Sequence, residues 1–257
     1  MIVTIDIGNS NIVLGFFKGN KMIHSSRTTT VKDITSDELA IKYFNILKFY
    51  QININDIEAV IIANVVPSLT APYRELVNNF FKCNSYFLQD YLHDLPINIS
   101  YKNIYELGDD RIVNAIAGFY NYPDDLIIID FGTAITFDVV NRQEGYIGGL
   151  IYPGINVATS YLSNATAKLP KVELRKVKNI IGGNTISAIE SGLFYGYIAM
   201  LEGVIRAIKK EQKNKKYRVI ATGGVGKIFY NNSKIIEFYD EYLTLKGLNI
   251  LYNNINK

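Results

Sequence analysis

One cysteine, Cys83, stands among 257 residues, so no disulfide can close within the chain and no Cys-based metal cluster is available. A reducing compartment fits that usage. The two histidines, His24 and His93, have no clustered ligands beside them. Neither a zinc site nor a Ser–His hydrolase follows, and both are read as incidental. Neither sign of charge is in excess, since 27 Lys and Arg face 24 Asp and Glu for a formal net of +3. That leaves no electrostatic footprint for a nucleic acid. The run KKEQKNKK (209–216) reads as a solvated, dipole-compensating helix end. The chain enters MIVTIDIG without a charged leader, and no apolar run approaches the length of a bilayer span. A soluble, cytoplasmic protein with no membrane partner is expected. What is present is ordinary globular chemistry, 48% hydrophobic and 20% charged, in a length that suits two modest domains.

Short β-branched runs open the chain: IVTIDIG (2–8), NIVLGFF (11–17) and KMIHSSRT (21–28) predict a meander. A helix over about 36–50, a buried strand AVIIANVV (59–66) and a helix from near Ser68 follow. The second half repeats the plan with LIIIDFG (126–132), AITFDVV (134–140) and GYIGGLIY (145–152), then a helix after Pro153. A long helix from Asn184 to Gln212, a strand YRVIATGG (217–224) and an amphipathic helix from Glu241 to Asn254 complete it. DIGNSNIVLGFF from residue 6 and DFGTAITFDVV from residue 130 are the same pattern of strand, Asp, apolar residue, Gly, small polar residue and strand. The repeat suggests two related α/β domains, 1–118 and 119–257, facing each other across a ligand cleft.

An Asp closing a buried strand before a Gly turn sets a carboxylate beside unshielded backbone N–H groups, which suits a polyphosphate and its cation. Gly8 and Gly132 admit phosphate oxygens, Asn9, Ser10 and Thr133 supply neutral donors, and Asp6 and Asp130 can hold cations directly or through water. One such turn is an ordinary hairpin; two in register carry more weight. ATGGVG (221–226) breaks a strand into glycines where a base or ribose can lie. It is not a P-loop, because Ile228 stands where Ser or Thr should follow Lys227. A dinucleotide fingerprint is also missing after the first strand. Outside these turns the conspicuous polar cluster is LGDDRIVNAIAG (107–118), with Asp109, Asp110 and Arg111 at a predicted helix start. Helix capping accounts for at least one of these carboxylates, and Asp109 is the one given that role.

DIGNSN, LGDDR, DFGTA, GYIGGLIYPG, NATAKLP and GGNT, in this order across nearly the whole chain, together resemble the type III pantothenate kinases. The resemblance implies two ribonuclease H-like domains of the actin-like ATPase fold shared by acetate and sugar kinases, Hsp70 and actin. It implies transfer of phosphate from ATP to the primary hydroxyl of pantothenate, giving 4'-phosphopantothenate, the first intermediate of coenzyme A synthesis. Asp110 matches the family's general base. Tyr101, Gly108, Arg111 and Thr185 match pantothenate contacts, in a binding stretch that includes Asp109. Asp6, Ile7, Gly8, Asn9, Ser10, Asn11, Ile12 and Val13 match the ATP turn and Thr133 a further ATP contact. Asp130 matches the ligand of a monovalent cation, K+ or NH4+, while Mg2+ accompanies ATP near Asp6 through water. A homodimer through the second domain is implied, with Thr185 serving either its own subunit's site or the partner's. The chain departs from the family pattern at Asp109, where a small residue is usual, and at Ile104, where a proline is common. The rival readings are a related kinase or phosphatase acting on another small acid or on polyphosphate, and a non-catalytic transcription accessory factor. Intact Asp6, Asp110 and Asp130 argue against the second.

Overall fold

The computed structural model describes residues 1–166, 168–213 and 216–256. They form two compact units, one of Met1–Tyr122 plus the returning C-terminal stretch from Tyr242, the other of Pro123–Glu241. In the first unit β1 (Ile2–Ile7), β2 (Asn11–Lys18) and β3 (Lys21–Thr29) make the expected antiparallel meander. β4 (Ala59–Asn64) then adds in parallel beside β1, and β5 (Asn84–Phe87) beside β4, giving the order β3-β2-β1-β4-β5. Central strands covered on both faces need apolar residues at nearly every position. β4 meets that with AVIIA fully buried and only Asn64 partly exposed. α1 (Ser36–Phe49) starts at a capping box in which the Thr35 and Glu38 side chains and backbone groups pair reciprocally. It lays Leu39, Tyr43 and Leu47 on the sheet face carrying Val3, Ile5 and Ile7. α2 (Thr70–Leu76) packs there too, with Tyr73 bonding Tyr43 through their hydroxyls (3.1 Å).

The second unit repeats this plan. β6 (Asp125–Phe131), β7 (Ala134–Asn141) and β8 (Gly145–Pro153) are antiparallel, and β9 (Tyr217–Thr222) and β10 (Phe238–Tyr239) follow in parallel, in the order β10-β9-β6-β7-β8. Even the irregularities correspond: β2 slips register against β3 at Phe16/Phe17, and β7 against β8 at Val139/Val140. α4 (Ile155–Asn164), α5 (Thr185–Glu211) and α6 (Gly226–Tyr230) complete the unit, whose core joins Ile127, Ile129 and Phe131 to Tyr197, Leu201 and Ile205 of α5.

Three expectations are corrected. The helix near Ser68 is broken into a 3-10 turn (Pro67–Leu69), α2 and a π-helical end (Val77–Phe81). α5 is by length and composition apolar enough to cross a membrane, although no such run was read from the sequence. Its apolar residues are spread around the helix, Phe194, Tyr197, Leu201 and Ile205 being buried, and are interrupted by Glu190, Glu202 and Arg206. Of the basic run, Lys209 and Lys210 lie in its last turn, while residues 214 and 215 are outside the described residues.

The domain division also differs from 1–118 and 119–257, because the final helix, α7 (Leu243–Ile255), rejoins the first unit. Its partner there is α3 (Asp109–Asn121), and two features bring the helices together. The Thr244 hydroxyl donates to Asn114 Oδ1 (2.8 Å), a buried polar bond. Gly247 lies so near α3 that a β-carbon there would stand 2.0 Å from the Val113 carbonyl oxygen. Backbone on both sides of the contact cannot yield as a flexible side chain would. Gly247→Ala is therefore expected to lower unfolding stability by about 1–3 kcal/mol in urea denaturation; an unchanged midpoint would contradict this packing.

Candidate active site

The first turn follows from the end of β1. Asp6 is its penultimate residue, paired with Val13 of β2 and Ala63 of β4. The Gly8 N–H donates to the Asn11 carbonyl (3.0 Å) and closes the hairpin. Thr30 pins it from just beyond β3, its hydroxyl donating to the Gly8 carbonyl (2.6 Å) and its N–H to the Ser10 carbonyl (3.1 Å). With those carbonyls turned inward, Asn9, Ser10 and Asn11 stay exposed at the tip.

The start of α3 reaches the same strand ends through Asn64. Ile7 pairs with Asn64 across β1 and β4, and the Val65 N–H donates to the Ile7 carbonyl (3.0 Å). The Asn64 N–H donates in turn to Asp109 Oδ2 (2.8 Å), and the Gln89 amide donates to Asp109 Oδ1. Asp109 is 2% exposed. It caps nothing, since Gly108 is the N-cap residue of α3 and no side chain bonds the cap. The capping role expected for it gives way to a buried tie between helix and strand. Burial pushes its carboxyl up to about 6, against the pull of the Asn64 and Gln89 hydrogen bonds and with a further push from Asp110.

Asp110 is differently placed. Its Oδ1 accepts from the Arg111 N–H (2.8 Å), and a β-carbon on Gly108 would stand 2.6 Å from that oxygen. Glycine at 108 is thus what makes room for the carboxylate. Burial raises the Asp110 carboxyl above its ordinary range, while the Arg111 N–H and charge draw it back. Arg111 itself is buried. Tyr101, 37% exposed, precedes a 3-10 turn (Ile104–Glu106) that Asn103 caps, accepting from the Tyr105 N–H (3.2 Å) and donating to Glu106 (2.9 Å). Those two bonds order the segment in which Ile104 replaces the usual proline.

In the second unit the Gly132 N–H donates to the Ala134 carbonyl (3.0 Å), closing a hairpin one residue shorter than the first. Asp130 is again penultimate in its strand and pairs with Thr136 and Thr222. Two glycine segments close on this turn. Gly223 of ATGGVG has φ +83°, and a β-carbon there would stand 2.7 Å from both Asp130 Oδ1 and the Phe131 carbonyl oxygen. Gly154, after β8, similarly abuts the Thr133 carbonyl. Tyr239 of β10 donates its hydroxyl to the Gly223 carbonyl (3.2 Å), and Phe131 stacks on Phe229 of α6 at 4.9 Å. Gly132 and Thr133 remain exposed. Thr185 is exposed at the first position of α5, behind a capping box of Asn184 and Ser187. In the NATAKLP stretch, residue 167 is outside the described residues.

Asp6, the 8–13 turn and Gly108–Arg111 are thus tied together in the first unit, and Asp130, Gly132, Thr133 and Gly223 in the second. Asn64 and Gln89 were missed by the sequence reading. A polar residue closing the buried run AVIIAN was a signal for Asn64; Gln89 carries none. Neither histidine joins the site chemistry, His24 stacking on Tyr50 at 4.7 Å and His93 bonding the Tyr105 hydroxyl (3.0 Å).

Two units of identical strand order, each with Asp and Gly at the end of its first strand, define an actin-like ATPase fold of the kind used by sugar kinases. Solved structures agree: component A of (R)-2-hydroxyglutaryl-CoA dehydratase from Acidaminococcus fermentans superposes with a TM-score of 0.57 at 13% identity, covering all of both chains. A Campylobacter jejuni chain assigned to the Baf family of transcriptional activators gives 0.59 at 22% identity, over 99% of this chain and all of that one. At such identities the likeness is one of fold alone. The sequence profile of type III pantothenate kinase matches residues 2–207. Type III pantothenate kinases from Citrifermentans bemidjiense and Geotalea uraniireducens are 40% and 41% identical over 98% of both chains. One from Bacillus cytotoxicus is 38% identical over 98% of this chain and 95% of its own. The chain belongs to the type III pantothenate kinase family.

The glycine at 223 gives a direct test of the second turn. Gly223→Ala is expected to lower the melting temperature and to weaken binding of a non-hydrolysable ATP analogue by about tenfold or more, by combining left-handed backbone strain with the clash on Asp130. Gly224→Ala, where a β-carbon meets nothing within 4 Å, should leave the melting temperature unchanged. Equal behaviour of the two variants in calorimetry would contradict the arrangement.

Proposed function

We infer that the protein transfers the γ-phosphoryl group of ATP to the primary hydroxyl of pantothenate, releasing ADP and 4'-phosphopantothenate in the first step of coenzyme A biosynthesis. The observation that carries the reading is Asp110 beside Arg111 at a helix start tied to the strand that ends in the Asp6 turn. Arg111 grips the pantothenate carboxylate through its guanidinium, with Gly108, Tyr101 and Thr185 around the substrate. Asp110 takes the hydroxyl proton as the new O–P bond forms and the bond to the β-phosphate oxygen breaks. Its raised proton affinity makes it a stronger base than an exposed carboxylate. Residues 6–13 and Thr133 cradle the nucleotide through turn backbone and short polar side chains.

The family uses ATP with a divalent metal. Among the described residues no group of three or more His, Cys, Asp or Glu can chelate one. That fits Mg2+ carried by phosphates and water beside one carboxylate, here Asp6, where it neutralises charge on the transferred group. Asp130 Oδ1 and the Phe131 carbonyl oxygen both lie close to the Gly223 backbone. This pair of hard oxygens suits a monovalent cation such as K+ or NH4+. Exposed apolar residues of the second unit, among them Ile151, Tyr161 and Ile181 at 85% exposed, support a homodimer through that unit. The described chemistry suits the cytoplasm, where ATP is abundant. A transcriptional role has only the fold likeness to the Campylobacter jejuni chain behind it, and a different small-acid acceptor is separated by acceptor screening.

Purified protein should release ADP only when pantothenate is present, and faster with K+. Asp110→Asn is expected to lower kcat about a hundred- to ten-thousand-fold with ATP still bound. Because the base must be ionised and burial raises its carboxyl, wild-type turnover should fall on the acid side above the usual carboxylate range. ADP release indifferent to pantothenate, or an Asp110→Asn enzyme of normal turnover, would overturn the assignment.

A further inference from the structure

A carboxylate as buried as Asp109 costs several kcal/mol unless hydrogen bonds replace its water. Capping its own helix would have supplied them locally, yet both oxygens reach out to other elements. The strand partner is itself immobilised: Asn64 Oδ1 accepts from the Val66 N–H (2.8 Å) and Nδ2 donates to the Thr70 hydroxyl (2.9 Å). Asn64 also pairs in the sheet with Ile7, the residue between Asp6 and Gly8. An unbroken path of hydrogen bonds therefore runs from the first phosphate turn through β4 to the first turn of α3. Asp110 is the next residue on that helix. Fixing the side chain at 109 fixes the rotation of the helix start, because successive residues turn by about 100°.

We propose that Asp109 is a positioning residue for Asp110, a clasp that accepts hydrogen bonds from Asn64 and Gln89 and so sets the direction in which the neighbouring carboxylate meets the substrate hydroxyl. The proposal rests on the reading of Asp110 as the base. The clasp acts through the helix start. The charged group facing Asp109 is Asp110, with Arg111 next along the same helix. From β4 and the 3-10 turn Leu88–Tyr91 the facing groups are Asn64 and Gln89, which are uncharged, and Asp90 beside Gln89 is paired with Arg74 (2.7 Å). Asp110 thus raises the proton affinity of Asp109 across one peptide unit.

Three variants and a control test the clasp by steady-state kinetics. Asp109→Ala removes both acceptors and should lower kcat about tenfold to a hundredfold, the cost of a small misplacement of a catalytic group, with the KM for ATP within about threefold of wild type. Asp109→Asn should restore kcat to within about threefold, because its Oδ1 still accepts from the Asn64 N–H while the Gln89 amide can rotate to accept from its NH2. Should Asp109→Ala fail to fold, Gln89→Ala at a more exposed position keeps the test open, with a smaller loss of kcat and an unchanged KM for ATP. Wild-type kcat in Asp109→Ala or in Gln89→Ala, or an Asp109→Asn enzyme as slow as the alanine variant, would overturn the clasp. The control is Asp110→Asn: if it turns over normally, the base reading fails, whereas if it is inactive while the 109 and 89 variants are normal, only the clasp fails.

Discussion

The structure depends on how closely backbone can approach a carboxylate at the end of a buried strand or the start of a helix. At Asp110 and at Asp130 a carboxylate oxygen stands close to where a β-carbon would be, 2.6 Å from the β-carbon position of Gly108 and 2.7 Å from that of Gly223. At Gly223 the positive φ and the equally close Phe131 carbonyl make glycine a steric necessity, and a carboxylate flanked by bare backbone is what a phosphate and its cation require. The rest of each unit holds that proximity. Parallel pairing of β1 with β4 and of β6 with β9 sets the strand ends side by side, and the apolar strands between the helix layers keep them rigid.

Polar groups inside this frame do positional work. Asn64 satisfies its own side chain twice and still lends its N–H to Asp109, so one residue joins sheet, loop and helix. The Thr244–Asn114 bond and the Gly247 contact press α7 on α3, the helix whose first turn carries the acid–arginine pair. The last helix in sequence therefore braces the helix that begins at Asp109.

Much of this was legible from the residues. The Asp–Gly pattern at 6 and 130 announced the repeat because hairpin turns have strict local chemistry, and the two sheets share strand order down to a matching register slip. Three features were hidden for physical reasons. α7 joins the first unit through a backbone contact at Gly247, which sequence spacing does not encode. The four residues of β5 and two of β10 are too short for periodicity to register. Asp109 looked like a cap because acidic residues favour helix starts, whereas its partners, Asn64 and Gln89, lie 45 and 20 residues away. Those separations can be read only once the chain has folded.

The central claim is the proposal that an Asp–Gly turn holds phosphate of ATP through its backbone. Amide nitrogen chemical shifts of Gly8–Asn11, followed by NMR while a magnesium complex of a non-hydrolysable ATP analogue is added, test it most directly. The account predicts that they move along a single saturation curve, while amides on the exposed face of α1 stay still. A saturating titration that leaves the turn unmoved would contradict it.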